Sequence, residues 1–227
     1  GRGLQRLREA GVAVVTGVLE ERARAINAGF AARLTTGRPR VTVKLATSLD
    51  GRTAVHTGES QWITGEAARA DVHRLRHGHA AVVTGSGTVL SDDPSLTARL
   101  PEGGAHPLRV VLDSHLQTPP AAQVVSGPGR CLILTAAGTE PVARRTLETA
   151  GAEVAELAAD AEGRPELGAV WAELARREIG TALVEAGAGL AGAVLRGGWA
   201  DELVVYQAPT VIGAGGRPMF AGAPIDA

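Results

Sequence analysis

Along the chain, short apolar runs bounded by glycine, proline and small polar residues alternate with stretches where apolar residues recur every three or four positions. The first pattern predicts strands and the second predicts helices. Strands are expected at residues 11–18, 41–47, 80–84, 108–112, 132–135, 181–184 and 203–206. A helix is expected at 19–34, with Ala25, Ile26 and Phe30 on one face. Another follows Thr64, a plausible N-cap, with Glu66 in its first turn and Ala68, Val72 and Leu75 at helical spacing. Further helices are expected at 142–150 and 190–195, and on the stripe Leu167, Val170, Trp171, Leu174 and Ala175, closed by Gly180.

The strands alternate with helices, and several are apolar throughout. That pattern implies an α/β fold with a largely parallel central sheet and helices on both faces. In such sheets ligands bind beyond the carboxyl ends of the strands. Thr35 to Pro39 has no periodicity and joins Gly37 to Pro39, so a boundary is expected there. It divides the chain into residues 1–37 and 38–227.

Composition narrows the function classes. The 227 residues are 44% hydrophobic and 21% charged, an ordinary globular balance. A net charge of -1 provides no field for nucleic acid or an anionic membrane, so an anionic ligand must be met by local arginine and lysine. No apolar run approaches the ~20 residues of a membrane span, and a cytoplasmic location is expected. The single cysteine, Cys131, lies in an apolar run and reads as a small buried hydrophobe; it excludes an internal disulfide and any multi-cysteine zinc site. The chain opens on Gly1, has Met219 as its one methionine and stops soon after a strand-like segment. These features are expected of an internal piece of a longer protein.

Four groups of residues carry candidate chemistry. Gly187, Gly189 and Gly192 form G-x-G-x-x-G between a predicted strand and a predicted helix. Such a turn brings phosphate close to backbone N–H groups at a helix N-terminus, or it is merely a tight turn; its late position does not suit a first dinucleotide-binding unit. Glu185 ends the strand before that turn, placed either to hydrogen-bond a substrate or to face solvent. Lys44 interrupts an apolar strand, where it either reaches the edge or meets a buried anion. Asp92-Asp93-Pro94 reads as a turn, or as one acid facing a substrate while the other caps the loop. His73 and His77 have metal-ligand spacing on a helix, but Arg74 stands where a zinc protease needs glutamate, so no metal is expected. Arg76 either complements its helix dipole or binds an anion.

Taken in order, the segments 44–52, 58–64, 84–99, 184–187 and 201–209 resemble the reductase domain of the bifunctional riboflavin-biosynthesis deaminase/reductase (RibD) family. The resemblance runs from about Pro39 to Phe220. It implies a dihydrofolate-reductase-like α/β fold and NADPH-dependent reduction of 5-amino-6-(5-phosphoribosylamino)uracil to its ribityl counterpart. It implies Lys44, Asp92 and Glu185 at the reacting centre. NADPH is expected against Ala46, Trp62, Thr88, Asp92 and Ser114, and along Gly187, Ala188, Gly189, Leu190, Ala191, Gly192 and Ala193. Substrate contacts are expected from Ser60, Arg76, Leu96, Arg99 and Glu185, with Arg76 and Arg99 on the 5-phosphate. The turn Asp113-Ser114-His115 offers a hydroxyl and an imidazole to a 2'-phosphate, although Asp113 would suit a free ribose hydroxyl.

Residues 1–30 resemble the tail of the preceding cytidine-deaminase-like domain, whose H-x-E and P-C-x-x-C zinc signature is absent here. The family's last strands are expected beyond Ala227. The partner implied is a small phosphorylated molecule, and a homo-oligomer is compatible with the reading. The alternatives are another reductase of the same fold acting on a pterin or folate, and a catalytically silent nucleotide-binding module attached to a deaminase. The Arg76 and Arg99 pair suits a phosphate that dihydrofolate lacks.

Overall fold

Alternate residues of each central strand face opposite ways, and the chain uses this to build two cores around one sheet. In β1 (Arg40–Ser48), Val41, Val43 and Leu45 turn to one side. In β3 (Ala81–Gly85), Ala81 and Val83 join them, while Val82 points to the other side. The same division separates Leu132 and Leu134 from Ile133 in β5 (Cys131–Ala136), and Ala182 and Val184 from Leu183 in β7 (Thr181–Glu185). All of these side chains are essentially excluded from water. At ~1.5–3 kcal/mol for each large apolar side chain fully buried, the two layers dominate the stability of the domain.

The computed structural model describes residues 2–56, 65–101 and 103–222. The remaining elements are α1 (Arg2–Glu9), α2 (Glu20–Ile26), α3 (Ala28–Thr36), β2 (Arg52–Ala54), α4 (Glu66–His77), α5 (Ser86–Asp92), β4 (Leu108–Leu112), α6 (Gln123–Ser126), α7 (Pro141–Thr149), β6 (Ala152–Leu157), α8 (Leu167–Arg176), α9 (Ala188–Arg196), β8 (Glu202–Ala208) and β9 (Arg217–Pro218). The main sheet runs β6-β5-β4-β3-β7-β1-β8, and every neighbouring pair is parallel. Helices α8 and α9 cover one face through Val170, Trp171, Leu174, Ala191 and Val194. The other face is covered by α5, α6 and α7 through Val89, Val124, Val125 and Leu147, with Leu75 of α4 against them. The α/β expectation holds, with helices on both faces.

Two buried or partly buried arginines organise the frame. Arg38 forks onto Asp201 at 2.6 and 2.8 Å, and Asp201 also accepts the Val41 N–H at 2.8 Å, which ties the start of β1 to β8. Arg109 is fully buried and, among the described residues, has no carboxylate paired with it. Its guanidinium instead donates to the carbonyls of Gln123, Gly127, Gly129 and Arg130 at 2.7–3.3 Å, gathering the loop that enters β5.

Several local expectations differ from the structure. Residues 11–18 form no strand, because no sheet edge pairs with them, and Val15 and Val18 remain exposed. The helix expected at 19–34 breaks at Asn27 into α2 and α3, and Ile26 and Phe30 stay exposed. This N-terminal segment meets the sheet where Gly29 packs on Gly180 and Thr181, so closely that a Cβ at Gly29 would overlap the Thr181 methyl. Helix α8 ends at Arg176 with Arg177 as its cap, and Gly180 serves that contact instead of closing the helix. Thr64 lies outside the described residues. Cys131 is buried as expected, and burial pushes its thiol up to about 11, which leaves it inert.

Candidate active site

Lys44 and Glu185 are register partners on the neighbouring parallel strands β1 and β7. Their neighbours Val43, Leu45 and Val184 face the α8–α9 core, so Lys44 and Glu185 face the opposite side of the sheet. There α4 supplies Arg76. Its Nε donates to Glu185 Oε1 at 2.6 Å and its Nη2 to Oε2 at 3.0 Å, while Nη1 donates to the Thr97 carbonyl at 3.2 Å. Lys44 Nζ approaches Glu185 Oε2 at 3.5 Å. Burial alone would raise the Glu185 pKa. The Arg76 guanidinium, and then the Lys44 ammonium, outweigh it and hold the carboxyl below the usual carboxylate range. Glu185 is therefore a buried, ionised acceptor with two cations on it.

Lys44 has a second neighbour. Its Nζ stands 5.8 Å from the ring centroid of Tyr206 on β8, within cation–π range. The Tyr206 hydroxyl donates to Asp71 Oδ2 of α4 at 2.7 Å. Burial and that bond push the phenol up to about 12, so it stays a donor.

Lys44, Arg76 and Glu185 line a cavity of about 600 Å³ at the carboxyl ends of β1, β3 and β7. Of the expected residues, it gathers Lys44, Ala46, Arg76, Thr88, Asp92, Leu96, Glu185, Gly187, Ala188, Gly189 and Leu190. Thr53, Ala54 and Arg217 line it too, and no sequence signal had marked them. Ala191 is buried in the core of α9, and a Cβ at Gly192 would overlap the Ala221 carbonyl oxygen. Those two residues, with Ala193, fix the helix and do not line the cavity. Ser60 and Trp62 lie outside the described residues.

The Asp92-Asp93 pair divides its roles. Asp92 lines the cavity, while Asp93 accepts the Gln123 N–H at 2.8 Å and its carbonyl accepts Gln123 Nε2 at 2.8 Å. Asp93 has φ 41°, a left-handed conformation that ends α5 and turns the chain.

One rim of the cavity can receive an anion. Gly187 is the N-cap of α9 and, having no side chain, leaves the first turn without a side-chain cap. Gly187 N–H is steadied by Thr88 Oγ1 at 3.3 Å, and a Cβ at Gly189 would meet nothing within 4 Å, so the backbone there is open to an incoming anion. Asp113 is buried and fully engaged in its own turn, accepting Thr118 N–H and Oγ1 at 2.7 Å each. Ser114 follows it, half-buried, outside the residues that line the cavity.

The two arginines expected on one phosphate are not brought to one cavity. Arg99 lines a separate groove of about 550 Å³ with Arg69, His73 and Arg74. The Thr97 carbonyl contacts one residue of each space, with Arg76 Nη1 at 3.2 Å and His73 Nδ1 at 3.3 Å from it. Burial, with Arg76 and Arg99 nearby, lowers the His73 pKa. Among the described residues, no group of three or more His, Cys, Asp or Glu converges as a metal site would require.

Comparison with known proteins places this geometry in a family. The family model described as RibD C-terminal domain matches residues 39–227. The riboflavin biosynthesis protein RibD of Bacillus amyloliquefaciens is 42% identical over 214 residues, covering 94% of this chain and 57% of that protein. Among solved structures, Acinetobacter baumannii RibD superposes with a TM-score of 0.87 at 36% identity, over 100% of this chain and 61% of that one. The Thermotoga maritima diaminohydroxyphosphoribosylaminopyrimidine deaminase/5-amino-6-(5-phosphoribosylamino)uracil reductase gives 0.82 at 31% identity, over 98% and 60%. The chain thus spans about three fifths of the length of these relatives.

Proposed function

The chain belongs to the RibD C-terminal domain family, and from that premise we propose that it is the reductase part of a riboflavin-biosynthesis protein, reducing 5-amino-6-(5-phosphoribosylamino)uracil to 5-amino-6-(5-phosphoribitylamino)uracil with NADPH. The fold is the dihydrofolate-reductase-like α/β architecture expected for such an activity. The observation that carries the proposal is the ionised Glu185, held by Arg76 and Lys44 in a glycine-rimmed cavity at the strand ends. Residues 1–37 are, in this reading, the tail of a deaminase domain with its linker. The family match beginning at residue 39 supports that division.

When bound, NADPH supplies the hydride that reduces the C1 carbon of the opened ribose. Ala46, Thr88, Asp92 and the turn from Gly187 to Leu190 would hold it, as the expected residues that line the cavity, while Ser114 and residues 191–193 lie outside that lining. The first-turn N–H groups of α9 meet a phosphate. Asp113 already accepts the Thr118 N–H and hydroxyl through Oδ2, which supports the preference for the 2'-phosphorylated cofactor.

The protein's own work is orientation and charge. Glu185 accepts hydrogen bonds from the substrate, and Lys44 keeps a positive charge beside the carbon whose substituent gains a proton. Asp92 faces the same space. Ser60, Leu96, Arg76 and Arg99 contact the substrate. Arg99, in its groove with His73 and Arg74, takes the 5-phosphate, while Arg76 is spent mainly on Glu185. A cytoplasmic setting goes with this reading, and no described helix is long and apolar enough to cross a membrane.

The test is loss of NADPH absorbance on addition of the deaminated phosphoribosyl substrate. Turnover with NADPH, and little with NADH, is expected. No turnover would remove the proposal, and equal efficiency with both cofactors would remove the NADPH preference.

A further inference from the structure

We propose that Arg217 is an additional anion-binding residue of the cavity, taking a phosphoryl group of the cofactor or of the substrate. The inference rests on the reductase reading, because both molecules are then phosphorylated.

Charge balance isolates this residue. The charged side chains lining the cavity are Lys44, Arg76, Arg217, Asp92 and Glu185. Lys44 and Arg76 are both committed to Glu185. Arg217 is exposed and has no carboxylate or carbonyl partner among the described residues. It leaves the cavity with one positive charge in excess, in a chain whose net charge is -1. An exposed arginine is ordinarily a solvated surface residue, so its position has to be explained by its backbone.

That backbone is fastened at several points. Gly216 lies so close to β2 that a Cβ there would meet Ile212 at 2.6 Å and the Ala54 carbonyl oxygen at 3.1 Å. The lack of a side chain lets β9 lie against β2 with Arg217 opposite Ala54, on the cavity wall. Asp50 accepts the N–H groups of Ile212 at 3.1 Å and Gly213 at 2.8 Å. Met219 N–H donates to the Gly51 carbonyl at 3.0 Å, and Arg52 Nη1 reaches the Gly216 carbonyl at 3.4 Å. Four tie points thus hold a two-residue strand whose only cavity-facing charge is Arg217. A guanidinium so placed can give two parallel hydrogen bonds to one phosphoryl group.

The experiment compares wild type, Arg217→Ala and Arg217→Lys. NADPH dissociation constants are measured by fluorescence, and KM is measured with the phosphorylated substrate and its dephosphorylated form. Arg217→Ala should weaken one of the phosphorylated ligands roughly 10- to 100-fold. Arg217→Lys should recover part of the loss, since it keeps the charge without the fork. A loss in NADPH affinity assigns the group to the cofactor. A loss confined to KM of the phosphorylated substrate assigns it to the substrate. Asp50→Ala should reproduce a smaller version of the same defect by releasing the loop. If wild type turns over and Arg217→Ala matches it within twofold for both ligands, the inference is overturned while the reductase reading stands. If wild type neither binds NADPH nor turns over, both are overturned.

Discussion

Arg76 grips Glu185 through two parallel hydrogen bonds, Nε to Oε1 at 2.6 Å and Nη2 to Oε2 at 3.0 Å, across 109 residues of sequence. Neither partner can be removed without stranding the other in a poorly hydrated place. Arg76→Ala should therefore cost ~3–5 kcal/mol of stability, read by denaturant unfolding. With the guanidinium gone, burial is opposed only by Lys44, and the Glu185 pKa should rise. The acidic limb of the kcat/KM profile should then move to higher pH. An acidic limb left in place would mean that Glu185 ionisation is not needed.

Lys44 rests between a carboxylate and an aromatic face, and the two faces can be tested apart. Tyr206→Phe keeps the ring and removes the bond to Asp71, so it should retain most activity. Tyr206→Leu removes the ring face and should lose several-fold more in kcat. The wild-type phenol has its folded pKa raised to about 12. Its stabilising bond is therefore complete below the ordinary tyrosine range near ~10 and is lost as pH rises through about 12. The wild-type and Tyr206→Phe melting temperatures should converge over that alkaline window.

Asp50 is held at about 2, first by the Ser48 hydroxyl and then by the Ile212 and Gly213 N–H groups. Its folded pKa is depressed, so its stabilisation is present above the free value of ~3.9 and disappears as pH falls through about 2. Asp50→Asn should be less stable than wild type at neutral pH and indistinguishable from it below about pH 2. Thermal melts across that range check this, and a constant difference would count against it.

Two glycines of one turn should behave oppositely. Gly189→Ala meets no atom within 4 Å and should leave stability unchanged, yet weaken NADPH at least 10-fold if phosphate approaches that backbone. Gly192→Ala drives a methyl into Ala221 and should cost ~1–3 kcal/mol. Melting curves and NADPH titrations of both variants separate packing from binding.

Much of the fold could be read from local pattern. The buried strands β3, β5 and β7 carry continuous apolar runs because both their faces are covered. Strand β6 escaped notice because it lies at the sheet edge and Glu153 and Glu156 interrupt its apolar residues. Residues 11–18 show the opposite error: an apolar run reads as a strand whether or not an edge is there to pair with it. In the site, Lys44, Asp92 and Glu185 stood out as polar residues in apolar or turn settings. The separation of Arg76 from Arg99 was not legible, since it depends on how α4 crosses the strand ends and on which of the two spaces each arginine lines. Arg217 gave no signal because its strand, β9, is only two residues long and has no pattern of its own, with only the glycines before it to mark the turn.

The sheet order also sets a sequence of assembly. Strand β1 is made before every other strand of the main sheet, yet its two neighbours in the finished sheet are β7 and β8, made more than a hundred residues later. Pairings between β3, β4, β5 and β6 join segments close in the chain and can form as they emerge. Until Thr181–Glu185 arrives, Val41 and Val43 have no strand to pair with, and Lys44 and Arg76 have no carboxylate between them. Joining such distant segments is the slow part of folding. The cavity walls built by β1 and β3 therefore stay apart until β7 is inserted between them.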